Sequence, residues 1–418
     1  MDFTGNQRET VKQARYVSAN YSMLRYIALL TLIFVLLYVF LQPETILMIA
    51  SVNTTEKYLT TSDHSAYIHK ELVSSLREKL NINTSVKILN KPMKPKSCKE
   101  QGIHFRGNIY DDTCKATTNC LKTSLPVDLS SRIEALTSAN SLQGKYQTVI
   151  HQMRARVNGS YEVAVLHGLS SNHFDESLAM LAQLQHTTFP LLKNFTLIVY
   201  DLGLEPLQLK KYEAFCKCRL LPFPFRQLPR YFRILKVCAW KVFIIAAHYE
   251  NAEVTIWADA SVEVLNGSGV VAAINKTKIF GIQQTLWHLN AVPNPHRTFP
   301  QMFEFFGDSP CAHLHFPQLT GGLGFYHREP LVRHAVISPW VRCAADRDCI
   351  MPLPFPEGLY CRPAPPRTIG VCHRNDQAAL SIIMAKLFRE KIYNFVTCLD
   401  YEQTGSFFRY NRDHRIHK

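Results

Sequence analysis

At Trp257-Ala258-Asp259-Ala260-Ser261 an apolar run ends on a carboxylate. Packing explains such a residue poorly, because a buried charge needs a partner or a metal. An oxygen ligand of this kind can hold a hard divalent cation such as manganese against a nucleotide diphosphate. The bland alternative is an aspartate that caps the next turn. Lys236 and Lys241 flank the preceding apolar stretch, where a cation could neutralise a departing diphosphate or simply face solvent on an amphipathic helix. Ser170, Ser171 and Asn172 follow an earlier apolar run; their side chains and turn amides suit a nucleotide, and Ser171 or Asn172 equally suits a helix cap. Gly321, Gly322 and Gly324 let the backbone approach a sugar closely, or mark a bulge or turn. Asp376 and Gln377 open a further apolar stretch, with Asp376 a cap or a functional acid.

The elements that must position these residues are readable from periodicity. Residues 162–166, 195–200 and 254–257 are short, mostly apolar runs of buried-strand type, and 219–223 is a fourth, weaker strand. Residues 173–184, 206–215, 235–249 and 378–388 carry apolar positions at helical spacing. Strands alternating with helices at this interval predict a parallel, three-layer α/β domain over residues 161–401. Ligands in such sheets sit at the carboxyl ends of the strands. Residues 42–160 are richer in Ser, Thr, Asn and Lys and read as a stem, with a helical pattern at 67–80.

Residues 26–41 contain no charged side chain and form the chain's one uninterrupted apolar segment. As a helix they reach roughly 24 Å, which suits an early secretory bilayer of about 27 Å. Arg8, Lys12, Arg15 and Arg25 precede the segment and keep residues 1–25 cytoplasmic. The expectation is a single-pass type II signal anchor in the Golgi or endoplasmic reticulum membrane, with the bulk of the chain luminal. A cleaved signal peptide is the alternative, but the apolar core is long for one.

All twelve cysteines lie beyond that segment, as an oxidising lumen allows. So do glycosylation sequons at Asn53, Asn83, Asn158, Asn194, Asn266 and Asn275. Cys343, Cys349, Cys361 and Cys372 read as disulfides around a Pro-rich loop rather than as a zinc site, since no C-x-x-C pair is present. Their pairing is open, and Cys216 and Cys218 read as too close to bridge each other. Lys and Arg number 47 against 33 Asp and Glu, a formal charge of +14 that thickens in the tail at 402–418. Such a surface favours anionic ligands or serves solubility. The aromatic and basic interleaving of a nucleic-acid groove is not evident.

The order Asp201-Leu-Gly-Leu204, Ala239-Trp-Lys241, Trp257-Ala-Asp-Ala-Ser261 and Cys372-His-Arg-Asn-Asp-Gln377 resembles the nematode-rich metazoan family known as domain of unknown function 1647, over residues 163–395. That family in turn resembles nucleotide-sugar glycosyltransferases of the GT-A fold, a Rossmann-type three-layer sandwich. The resemblance implies that Asp259 stands at the first position of a D-x-D metal motif, with Ser261 in place of the second acid and Glu263 a possible substitute. It implies donor contacts from Ser171, Asn172, Lys241, Ser261, Gly321, Gly322 and Gln377, and Asp376 as a base if the reaction inverts. The implied partners are a nucleotide sugar and a glycan or glycoprotein acceptor. A non-catalytic luminal glycan-binding or scaffold protein on a degenerate transferase fold is the competing class, which Ser261 favours. A sulfotransferase suits the topology and charge but lacks a Gly-rich phosphosulfate loop after the first strand.

Overall fold

The computed structural model describes residues 61–82, 125–138, 141–287, 292–352, 361, 372–399 and 408–410. The expected anchor at 26–41, the sequons at Asn53 and Asn83, and most of the Pro-rich loop lie outside them. Among the described residues no helix is long and apolar enough to cross a membrane. The chain divides into two units, residues 1–68 and 69–418. Helix α1 (Thr61–Asn81) begins in the first and ends in the second, and the second carries the features that follow.

Helices α2 (Leu129–Thr137) and α3 (Gly144–Ala155) fall in the span read as a stem, yet they are packed. Ile133 and Leu136 are fully buried, and Tyr146 meets Phe243 edge to face at 5.9 Å. Arg132 donates to the Leu387 carbonyl. The packed domain thus begins before Tyr161.

Strand β1 (Tyr161–Leu169) leads through α4 (Phe174–Thr187) to β2 (Phe195–Asp201), and α5 (Pro206–Cys216) leads on to β3 (Arg219–Pro222). Val163, Val165 and Leu169 of β1 enter one core with residues of α4, while buried Ala164 and Leu166 alternate to the opposite face. Helix α5 starts on Pro206 at its first position, behind a reciprocal Glu205–Gln208 capping box. Helix α6 (Ala239–His248) precedes β4 (Ala252–Ala258), followed by β5 (Val262–Val264), α7 (Gly267–Phe280) and β6 (Ile282–Trp287). Strand β7 (Thr320–His327), α8 (Ser338–Ala345), α9 (Asn375–Phe388), β8 (Val396–Leu399) and β9 (Phe408–Tyr410) complete the unit.

The main sheet runs β3-β2-β1-β4-β7-β6-β8, and β5 pairs with β9 apart from it. Strands β3, β2, β1 and β4 are parallel, as are β6 and β8. The expected parallel arrangement holds for β3, β2, β1 and β4 and is departed from at β7, which runs antiparallel to both β4 and β6. The Gly-rich segment 320–324 is therefore strand rather than turn, and reversal brings its first residues beside the carboxyl end of β4. The order reverses between β1 and β4, where an open α/β sheet leaves its binding crevice.

Two further expectations are corrected. Residues 235–249 are not one helix: a short 3-10 turn at Leu235–Val237 is separated from α6 by Cys238 in the left-handed region, φ 56°. Cys216 and Cys218 do pair with each other, because Lys217 adopts φ 45° at the end of α5 and turns the chain back, leaving their Cα atoms 5.1 Å apart. The other described pairs are Cys343–Cys349 and Cys361–Cys372.

Gly267 opens α7 against the end of α4, and a Cβ there would lie 1.7 Å from the Thr187 carbonyl oxygen. Gly267→Ala should destabilise by about 1–3 kcal/mol, the usual scale of overpacking, whereas Ala272→Ser on the exposed side of the same helix should not. Thermal melts that coincide for Gly267→Ala and the unsubstituted chain would show that the helices part freely.

Candidate active site

Lys241 sits in the first turn of α6, where the helix dipole disfavours a cation. It is nevertheless 4% exposed. Its ammonium lies 3.0 Å from Asp259 Oδ1 and 3.4 Å from Asp376 Oδ2, and it donates to the Gly321 carbonyl at 3.1 Å. The three charged residues come from the start of α6, the end of β4 and the start of α9.

Each carboxylate is held by its surroundings. Asp259 Oδ1 also accepts from the Trp257 indole at 2.7 Å, and its side chain is 34% exposed. The peptide leading into Asp259 is pinned at both ends. The Asp259 amide donates to the Gly322 carbonyl at 2.7 Å, and the Ala258 carbonyl accepts from His167 Nδ1 at 2.8 Å. His167 Nε2 in turn accepts from Ser177, which accepts from the Tyr212 hydroxyl, each at 2.8 Å. Since a carbonyl only accepts, this fixes the tautomer of His167. Asp376 is buried in the first turn of α9, behind Asn375 at φ 37°. The Trp340 indole donates to its carbonyl at 2.9 Å. Its Oδ2 has no hydrogen-bond partner of good geometry among the described residues.

Burial raises the Asp376 carboxyl above its ordinary range, Lys241 opposes that rise and the Asp259 charge adds to it. Burial alone would lower the Lys241 ammonium, but Asp259 and Asp376 outweigh it and hold its pKa well above the ordinary value. Lys241 is therefore charged at neutral pH.

Of the residues singled out in the sequence, Lys241, Asp259, Gly321, Gly322 and Asp376 converge here. A Cβ on Gly321 would meet Asp376 Oδ2 and the Gln377 side chain at 3.4 Å each, so Gln377 also borders the site. Ser171 and Asn172 lie at the carboxyl end of the neighbouring β1. The Ser171 hydroxyl donates to Gln208 and Asn172 accepts from Ser170, so both brace the loop beside the crevice. Ser261 is buried just past Asp259. Glu263 is taken out of the site: it lies in β5 and its carboxylate pairs with Arg409. Lys236 is exposed. Cys361 and Cys372 bridge just ahead of α9, while Asn158, Asn194 and Asn275 are exposed and Asn266 caps α7.

The carboxylates do not fit a divalent cation as they stand. Lys241 already lies against both, and a cation there would face a buried ammonium with a serine hydroxyl as the third oxygen. No group of three His, Cys, Asp or Glu suited to a metal occurs among the described residues. Sequence reading placed Lys241 against a phosphate and missed that it is buried between the two acids. It also missed His167, whose only signal was a histidine inside an otherwise apolar strand.

No family model matches the chain, and no curated protein does. Among solved structures the chain is similar to core-mannan synthase A from Aspergillus fumigatus in its manganese and GDP form, at 11% identity and a TM-score of 0.37, over 57% of this chain and 72% of that one. It is similar to the bifunctional glycosyltransferase WbbM at 13% identity and 0.32, over 58% of this chain and 40% of the other. Mouse xyloside xylosyltransferase 1 follows at 10% identity and 0.30, over 58% and 85%. What the site can do is read from its own residues.

Two expectations follow from these groups. Lys241→Met leaves the buried Asp376 and the half-buried Asp259 without their shared counter-ion and should cost about 3–5 kcal/mol. Manganese should then raise the melting temperature of Lys241→Met and leave that of the unsubstituted chain unchanged; a rise in the unsubstituted chain alone refutes the counter-ion reading. Separately, burial lowers the pKa of His167, His248 and His373 from 6.5 to about 4. The unfolded chain takes up these protons near pH 6.5 and the folded chain only near pH 4. Stability is thus full above pH 6.5 and should fall through that window, by up to about 1.4 kcal/mol per pH unit for each histidine. Denaturant midpoints that stay flat from pH 7 to pH 5 would contradict this.

Proposed function

We propose that this chain is a glycosyltransferase that moves a sugar from a nucleotide-sugar donor to a glycan or glycoprotein acceptor. The observation that carries the reading is the Lys241–Asp259–Asp376 cluster at the carboxyl end of β4, beside the crevice where the strand order reverses. Two acids and a cation held in a largely dry site are what sugar transfer asks of a protein: acceptors for hydroxyls and a positive charge facing a departing diphosphate.

In this reading Asp259 binds the donor through its outer oxygen, since Oδ1 is occupied by Trp257 and Lys241. Lys241 supplies the positive charge as an internal counter-ion, with no metal step. Asp376, its basicity raised by burial, accepts a proton from the acceptor hydroxyl in an inverting reaction. Gly321 and Gly322 leave room for the sugar. The apolar segment 26–41, its basic flank and the luminal cysteines and sequons support a Golgi or endoplasmic reticulum address, single-pass and type II.

The competing reading, a non-catalytic glycan binder, draws support from Ser261 and from the saturation of Lys241 by protein acceptors. A donor panel separates the two. One nucleotide sugar at about 100 times its Kd should stabilise the full chain by roughly 2.7 kcal/mol, and Asp259→Ala should abolish the shift. Asp376→Asn should retain donor binding but lose about 100-fold or more of transfer. If no donor shifts the melt, with manganese or without, the transferase reading fails.

A further inference from the structure

A second feature lies on the other side of Trp240. An open cavity of about 620 Å³ is lined by Leu202, Phe223, Phe225, Arg226, Arg233 and Leu235. The Trp240 indole donates to the Leu235 carbonyl at 2.9 Å, and its ring lies 5.9 Å from that of Trp257, which holds Asp259. The cavity and the charged cluster are thus linked through Trp240 and Trp257.

The segment that supplies most of the cavity's lining is one-sided in charge. No Asp or Glu occurs between Glu213 and Glu250, while Lys217, Arg219, Arg226, Arg230, Arg233 and Lys236 all fall there and are exposed. Arg226, Arg230 and Arg233 have no acidic partner among the described residues. Arg230 and Arg233 bound a single 3-10 turn, so they share one face about 6 Å apart. Pro224 and Pro229 stiffen the segment that carries them. Like charges held this close repel one another, and a partner with repeated negative charge removes that cost. Phe225, half-buried and with its ring 4.7 Å from that of the buried Phe223, offers an apolar face of the kind that packs on the C–H face of a sugar ring.

We propose that this groove binds an acidic glycan, a chain bearing sulfate or uronate groups, and presents it to the cluster beyond Trp240. The inference deepens the transfer reading by naming the acceptor class, and it rests on that reading only for the purpose of the binding.

The test uses the full chain in detergent micelles and a fluorescent heparin oligosaccharide. Binding should be at least tenfold tighter than that of a neutral maltooligosaccharide of equal length. The triple variant Arg226→Gln, Arg230→Gln, Arg233→Gln should weaken it at least tenfold in 0.1 M salt and flatten the slope of log affinity against log salt by about two to three, as lost charge contacts do. These side chains are exposed, so its melting temperature should match that of the unsubstituted chain. Unchanged heparin affinity in the triple variant overturns the proposal. So does equally tight, arginine-dependent binding of a single-stranded oligonucleotide or of phosphatidylserine vesicles. Asp259→Ala should bind heparin normally, so a failed donor panel beside intact heparin binding removes the transferase reading and leaves the groove.

Discussion

A buried ammonium in the first turn of a helix is unfavourable twice over, by desolvation and by the dipole. At Lys241 both costs are met by carboxylates from elements far apart in sequence, Asp259 at the end of β4 and Asp376 at the start of α9. The charge therefore does more than occupy a site. It ties α6, β4 and α9 together where the sheet offers a crevice, and it does so with one ion that two acids must share. Gly321 supplies the remaining acceptor through its backbone, which requires β7 to begin at this spot.

The antiparallel course of β7 is the topological counterpart of that requirement. A parallel strand would place its carboxyl end beside that of β4, and 320–322 would lie at the far edge of the sheet. Running backward, β7 starts at the crevice, pairs Leu323 with Ala258 and receives the Asp259 amide on Gly322. The sheet thereby delivers backbone acceptors to the same point as the two acids. The Trp240, Trp257 and Trp340 indoles then orient the surrounding carbonyls and carboxylate.

Much of this was legible in order and little of it in contact. Strands β1, β2 and β4 announce themselves as apolar runs because helices cover both faces, and α4, α5 and α9 by their spacing. The break at Cys238 was not legible, since a left-handed residue that is not glycine leaves no compositional mark. The Cys216–Cys218 pair depends likewise on the left-handed Lys217. Asp259, Asp376 and the glycines stood out by type and position. That Lys241 joins the acids to each other, rather than waiting for a phosphate, depends on tertiary approach that spacing along a helix does not encode.

The peptide between Ala258 and Asp259 is gripped from two sides, its carbonyl by His167 and its amide by the Gly322 oxygen. Such a unit has no freedom to flip, and the imidazole that holds it is backed by Ser177 of α4 and Tyr212 of α5. The backbone at Asp259 therefore behaves as a fixed bearing rather than a hinge. Any rearrangement that admits a ligand has to come from side-chain rotation at Asp259 or from movement of the opposing α9 wall, and opening of the crevice is one-sided by construction.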